Sequence, residues 1–290
     1  MKIKILFIIN PISGGLNKKF IPVLINQYLD YQKFDADIVY SDYVGHAREI
    51  AHKAMISGVD ILAAVGGDGT INEIASEVSS FGKLMAIIPC GSGNGLARTL
   101  NIPLKAKNAI ARINAMETVK IDVGTLNDKM FFNMAGMGFD AHISSLFAES
   151  ATRGLMGYVK STLKEINKYK AQQYKIEIDG VTIEREAFML SIANSSQYGS
   201  NAHVSPEASL HDGLLDVCVI KPFPLIAFPE LGFRMFAKST QFSKYVEIIK
   251  GRNIVITRTY SGPIHLDGEP FMNDKKLIIG IKHLDLELIV

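Results

Sequence analysis

The chain of 290 residues holds two cysteines, Cys90 and Cys218, and no CxxC pair. That excludes a disulfide framework and a cysteine-ligated zinc site, and it fits a reducing, cytoplasmic setting. No apolar run reaches the ~18 residues a membrane-spanning helix needs, so no transmembrane segment is predicted. Excess charge of one sign is also missing. The formal net charge of +2 gives no global attraction to nucleic acid and leaves any anionic partner to a local patch. Neither GxxxxGK[ST] nor GxGxxG occurs, which argues against a P-loop and against the standard dinucleotide fingerprint. Internal repeats and low-complexity linkers are absent. Met1-Lys2-Ile3-Lys4 before the apolar run to Ile9 loosely has the shape of a signal peptide. Its apolar core is too short and Asn10-Pro11 closes it, so it reads as a buried first strand.

What is present is a globular composition, 48% hydrophobic and 21% charged, in a length that suits one large or two ordinary domains. Up to about residue 115 the pattern alternates strand and helix. Strands are expected at 4–9, 37–40, 61–65 and 84–88, and helices at 18–31, 46–57, 71–78, 96–100 and 107–116. That alternation implies a parallel sheet with helices on both faces. Near Val119 the pattern changes. Tyr174, Ile176 and Ile178 alternate with polar residues, Asp179-Gly180 signals a hairpin, and Leu284, Leu286 and Leu288 alternate again. The predicted fold is a Rossmann-like parallel α/β domain (1–118) followed by an antiparallel β-sandwich-type domain (119–290), with a cleft between them. Two helices, near 154–170 and 225–238, interrupt the second half.

Three glycine-rich loops follow apolar strands. Gly66-Gly67-Asp68-Gly69-Thr70 also opens a helix, where glycine lets the backbone approach a phosphate and the first amides point at an anion. A carboxylate among phosphates would repel them unless it holds Mg²⁺ or orients the transferred group, so Asp68 suggests a nucleotide–metal site. The plainer alternative is a turn with an N-cap aspartate. Pro89-Cys90-Gly91-Ser92-Gly93-Asn94-Gly95 and Asn10-Pro11-Ile12-Ser13-Gly14-Gly15 also sit at strand ends, where parallel α/β sheets bind ligands.

Together these three motifs resemble the diacylglycerol kinase and sphingosine kinase family of lipid kinases. Asn133 to Asp140, Asp212-Gly213-Leu214-Leu215-Asp216 and Leu266-Asp267-Gly268-Glu269 extend the resemblance over nearly the whole chain. It implies an NAD kinase/diacylglycerol kinase-like fold and an ATP-dependent, Mg²⁺-requiring transfer to a lipid hydroxyl. The diphosphate would lie on Gly66, Gly67, Asp68, Gly69, Thr70 and Asn72, with Asn10, Pro11, Ser13, Ser41, Gly91, Ser92 and Asn94 around it. Asp68 would act catalytically on the metal–phosphate side, Glu269 would be the general base, and Ser209, Asp212 and Leu214 would hold a structural Mg²⁺. Read from the residues alone, His265, Asp267 and Glu269 alternate and would share one face of a strand, so Asp267 is an alternative base. A solvated Asp-Gly turn is the bland alternative. Ser92-Gly93-Asn94-Gly95 looks more like the sphingosine and ceramide kinase version of its loop than the bacterial diacylglycerol kinase one, which leaves the acceptor lipid open.

Two rivals stand beside this reading: an NAD kinase, which shares Gly-Gly-Asp-Gly, and a non-catalytic nucleotide- or lipid-sensing module. The expected partners are a lipid at a membrane surface and, as an open option, a second copy in a homodimer. Lys160, Lys164 and Lys168 recur at four-residue spacing and form a candidate contact for anionic lipid heads, or simply the polar face of an amphipathic helix. Residues 222–228, Pro-Phe-Pro-Leu-Ile-Ala-Phe, read as core first and as a shield for a lipid tail second. The remaining histidines lack ligand spacing, and Cys90 has no evident base partner.

Overall fold

The structure is a computed structural model that describes residues 2–15, 17–149 and 162–290. The chain forms two compact units, residues 1–121 with 284–290, and residues 122–283.

In the first unit β1 (Ile3–Ile9), β2 (Phe34–Tyr40), β3 (Ile61–Gly66) and β4 (Leu84–Pro89) lie parallel in the order β2-β1-β3-β4. The inner strands read as unbroken apolar runs because helices cover both of their faces, and every residue of β3 is buried. Helix α1 (Ile21–Tyr28) packs on α5 (Ala106–Ala115), and α2 (His46–Ile56) packs on α3 (Asp68–Phe81). Right-handed crossovers from β1 outward to β2 and from β3 outward to β4 place these two helix pairs on opposite faces. The short α4 (Gly95–Thr99) follows β4. The last strand of the chain adds itself beside β4 in parallel, pairing Glu287 with Leu84 and Leu288 with Met85. Ser79 Oγ donates to Asp285 at 2.5 Å, and Val290 N–H donates to the Glu117 carbonyl at 3.0 Å, so side chain and backbone both anchor this return.

The second unit contains a six-stranded antiparallel sheet. Its strands, in chain order, are β7 (Met134–Gly138), β10 (Met189–Ala193), β11 (Leu215–Ile220), β12 (Val246–Gly251), β14 (Gly262–Leu266) and β15 (Glu269–Asn273); their spatial order is β12-β11-β10-β7-β14-β15. A second layer pairs β8 (Gln172–Ile178) with β9 (Val181–Ala187) and with β13 (Ile254–Arg258), and β13 with the start of β16 (Lys276–Ile289). β5 (Thr118–Leu126) and β6 (Lys129–Phe131) pair at its side. The alternation seen in the sequence aims Tyr174, Ile176 and Ile178 at Met137, Leu190, Val217 and Ile264 of the six-stranded sheet, which makes a sandwich. Each fully buried Ile or Leu there contributes about 1.5–3 kcal/mol over an exposed one. Asp179 and Gly180, at φ of 48° and 88°, form the two-residue turn their sequence predicts.

Helix α6 (Phe139–Glu149) follows β7, and α7 (Phe228–Phe236) follows β11 after a 3₁₀ turn at Leu225–Ala227. The helix expected at 154–170 lies largely outside the described residues. Of its lysines, Lys168 donates to Glu165 at 3.0 Å. No helix among the described residues is long and apolar enough to cross a membrane.

Candidate functional site

In the first unit Ser41, Asn10, the Gly66 loop and the Pro89 loop stand at the carboxyl ends of four adjacent strands. The strand order reverses direction between β1 and β3, the place where open α/β sheets hold ligands. Asn10 Nδ2 donates to Thr70 Oγ1 at 2.9 Å, and Ile12 N–H donates to Asn10 Oδ1 at 3.1 Å, so Asn10 ties the first loop to the second. Ser41 is buried, its N–H donating to the Ile9 carbonyl at 2.9 Å. Lys18 Nζ donates to the Ser13 carbonyl. Burial holds the Lys18 ammonium below its ordinary value and pushes the Cys90 thiol up against the opposing pull of Lys18.

Asp68 does what the plainer reading of a cap describes, but for a different helix. Its Oδ2 accepts the Asn94 N–H at 2.9 Å and its Oδ1 accepts the Gly95 N–H at 2.8 Å. Those amides open α4. Asn94 sits at φ 52° and turns its own side chain back, accepting from Gly91 N–H at 2.8 Å and donating to the Gly91 carbonyl at 2.9 Å. The two glycine loops thus touch backbone to backbone: a Cβ on Gly91 would stand 2.5 Å from Gly67 Cα. Gly67, as N-cap of α3, supplies no side-chain acceptor to the first-turn amides, an arrangement that favours an anion there. Helix α2 is different, because Glu73 accepts the Gly45 and Arg48 N–H groups at 2.9 and 3.3 Å and fills its N-terminus.

In the second unit His265, Asp267 and Glu269 do not share one strand face. Asp267 and Gly268, at φ of 49° and 90°, form a two-residue turn, and Glu269 begins the return strand opposite Leu266. Nor does the aspartate of the turn face solvent, although Gly268 does. Asp267 is buried, and its carboxylate accepts Phe132 N–H at 3.0 Å and Asn133 and Met134 N–H at 2.8 Å each. Its own N–H donates to the Met134 carbonyl at 2.8 Å. Glu269 is exposed. His265 is buried with Nε2 2.7 Å from Asp140 Oδ1, and the Gly268 N–H donates to its Nδ1 at 3.3 Å. Tyr198 donates to Asp140 at 2.7 Å. Burial alone would push the His265 imidazole down, but Asp140, with help from Asp267, outweighs it and holds the group above its ordinary value. Gly136 makes room for this pair, since a Cβ there would meet His265 Nε2 at 2.2 Å. The sequence reading missed the Asp140–His265–Tyr198 network. Asp140 ends the Asn133-to-Asp140 motif, but no local spacing links it to His265.

Ser209, Asp212 and Leu214, the candidate cation ligands, already have partners around them. Ser209 Oγ accepts the His211 N–H at 3.2 Å, and Asp212 Oδ1 accepts the Leu214 N–H at 3.1 Å. Lys250 Nζ lies 3.0 Å from Asp212 Oδ2 and 3.4 Å from Asp216. Burial opposes the Lys250 charge, yet the two carboxylates outweigh it and raise its pKa; burial raises Asp216 as well. An ammonium already meets the acidic groups, so these residues do not fit a structural metal unless Lys250 withdraws. Among the described residues no group of three or more His, Cys, Asp or Glu side chains is arranged to hold a metal ion.

Residues 4–126 match the model of the diacylglycerol kinase catalytic domain, and residues 133–275 match that of the YegS C-terminal NAD kinase beta sandwich-like domain. A Pseudomonas aeruginosa protein named "Probable lipid kinase YegS-like" is 32% identical over 237 residues, 80% of this chain and 77% of that one. A Staphylococcus aureus protein named diacylglycerol kinase is 27% identical over 272 residues, 90% of this chain and 84% of that one. A crystal structure of a Bacillus anthracis diacylglycerol kinase superposes with a TM-score of 0.75 at 23% identity, covering 99% of this chain and 96% of that one, and so shares the fold.

Proposed function

Because the chain belongs to the diacylglycerol kinase-like family of lipid kinases, and is thereby a phosphotransferase, we propose that it uses ATP with Mg²⁺ to phosphorylate a hydroxyl of a diacylglycerol-like or sphingoid lipid. One observation supports the donor half above all others. Two glycine loops at neighbouring strand ends are locked together through Asp68 and Asn94, with the first turn of α3 beside them.

In this reading the amides of Gly66, Gly67, Gly69 and Thr70 bind the phosphates. Asn10, Pro11, Ser13, Ser41, Asn72, Gly91, Ser92 and Asn94 complete the nucleotide's surroundings. Asp68 acts as a positioning residue that holds the second loop against the first. Mg²⁺ bound with the nucleotide would neutralise phosphate charge. Glu269 is the general base. It takes the proton of the lipid hydroxyl as that oxygen bonds to the γ-phosphorus and the bond from phosphorus to the bridging oxygen breaks, leaving ADP. Asp267 is set aside as base because three backbone N–H groups already claim its carboxylate. The site works in association with a membrane that supplies its acceptor.

The test is transfer of labelled γ-phosphate to a panel of diacylglycerol, monoacylglycerol, sphingoid base and ceramide, with NAD as a further acceptor. Glu269→Gln should lose about 10²–10⁴-fold in rate while melting as the wild type does. Transfer to NAD and to none of the lipids would refute the proposal.

A further inference from the structure

We infer that the 3₁₀ turn and helix spanning Leu225 to Phe236, together with Phe242, form a face that inserts shallowly into anionic phospholipid membranes. The inference rests on the lipid-kinase reading for its purpose, and on the following observations for its location. Helix α7 is apolar on both sides. Its inner side seats Leu231 and Met235 on the cluster around Val204 and Cys218, and Phe228 on the cluster around Phe139 and Ile143. Its outer side carries Phe233 and Phe236, 71% and 55% exposed, and Gly232, where an added Cβ would meet nothing within 4 Å. Leu225 and Ile226 before it are 52% and 89% exposed, and Phe242 after it is 73% exposed. The sequence reading placed 222–228 in the core. Phe223 and Phe228 do pack inward, but Leu225 and Ile226 do not.

Beside the paired Glu230 and Arg234, Phe233 and Phe236 turn apolar surface to water. Charge decides the occupant. From 221 to 244 the segment carries Lys221, Arg234, Lys238 and Lys244 against Glu230; Lys221 is paired to Glu247 and Arg234 to Glu230, which leaves Lys238 and Lys244 to set the charge of this face. Lys238 and Lys244 are exposed. Aromatic and aliphatic side chains flanked by lysines match the boundary between acyl chains and anionic head groups. With about 1 kcal/mol per lysine near such a surface, each contributes roughly fivefold in affinity.

The experiment is sedimentation of the full chain with vesicles of phosphatidylglycerol and phosphatidylcholine, and with phosphatidylcholine alone. Variants are F233S/F236S and K238E/K244E. Each is also assayed for transfer to a short-chain lipid kept below its aggregation concentration. The wild type should bind the anionic vesicles and release them as salt rises. K238E/K244E should bind at least tenfold more weakly, F233S/F236S should lose binding, and both should keep their melting temperature and their rate on the monomeric lipid. If the wild type binds through this face yet phosphorylates no lipid, the surface stands and the enzymatic reading falls. If both variants bind as the wild type does, the surface is wrong. If instead the wild type self-associates and F233S/F236S is monomeric, the face is a contact between copies and the membrane proposal is overturned.

Discussion

Replacing Asp267 separates a scaffold from a base, because the two roles fail in different measurements. Its carboxylate is the shared acceptor for the N–H groups of Phe132, Asn133 and Met134. A buried N–H left without a partner costs about 1–3 kcal/mol. Asp267→Ala strands three of them, so it should destabilise the second unit by about 4 kcal/mol after some relaxation. Asp267→Asn is the sharper probe. Asparagine tolerates the left-handed backbone at φ 49°. Its oxygen can still serve Asn133 and Met134, while its amide faces the Phe132 N–H as donor against donor. The expected cost is about 2 kcal/mol. At roughly 2–4 °C per kcal/mol, the midpoint should fall by about 4–8 °C for asparagine and about twice that for alanine. Calorimetry and initial rates well below the midpoint check this. Asp267→Asn should keep its rate within about tenfold, whereas Glu269→Gln should keep its midpoint and lose the rate. An asparagine variant with the wild-type midpoint and a rate loss of about a thousandfold or more would make Asp267 the base and refute the scaffold argument.

Four further outcomes follow from particular contacts. His265→Asn keeps an acceptor near the Gly268 N–H and His265→Gln keeps a donor near Asp140, so asparagine should lose more melting temperature and glutamine more kcat; identical profiles for the two would deny His265 a part in positioning the Glu269 hairpin. Gly91→Ala should abolish nucleotide binding while the second unit melts normally, because its Cβ would stand 2.5 Å from Gly67 Cα; isothermal titration with a non-hydrolysable ATP analogue measures it. Hydrogen bonds from Arg185 hold Glu247 at about 2, below its usual value, with Lys221 adding to the effect against burial. A depressed carboxylate stabilises the fold above its unfolded value near 4.5 and loses that stabilisation as pH falls toward 2. Glu247→Gln should therefore be less stable than the wild type by about 1 kcal/mol at neutral pH, allowing for solvent screening, and the gap should close on acidification. Chelation with EDTA should leave the wild-type midpoint unchanged, whereas Lys250→Met, which leaves Asp212 and Asp216 facing each other, should melt lower and regain part of the loss with added Mg²⁺.

Much of the architecture is written locally and could be read. The apolar runs of β1, β3 and β4 announce strands covered on both faces, and Asp179-Gly180 is a two-residue turn by composition alone. The glycine loops lie at strand ends because the alternation of strand and helix puts them there. What local pattern does not carry is pairing across long separations. Leu284, Leu286 and Leu288 alternate as any half-buried strand does, and nothing in that period says that the chain's last strand joins β4, some 200 residues earlier. Lys250 and Asp212, or His265 and Asp140, meet for the same reason, through register and topology rather than spacing. Which side of α7 meets the protein was equally hidden, since Leu231 and Met235 on one side and Phe233 and Phe236 on the other are alike apolar.

The acids in the motifs show why a motif identifies a fold more surely than it identifies a mechanism. Asp68 accepts two amides of the neighbouring loop and Asp267 three amides of 132–134. Each closes a turn where the backbone would otherwise bury unsatisfied donors, which is a structural requirement of any chain adopting this path. Chemistry asks the opposite of a carboxylate: an oxygen presented toward substrate. Of the acids in the two glycine-flanked motifs, Gly66 to Thr70 and Leu266 to Glu269, Glu269 alone is exposed, held at the first position after a rigid turn. In the proposed reading the fixed part of that hairpin is Asp267, bonded into the sheet, and Glu269, two residues on, is the reactive part. A base mounted in this way gains its orientation from a residue that never touches a proton in transit, and so a loss of activity on mutating Asp267 would be evidence about the mount until the melting curve is measured beside it.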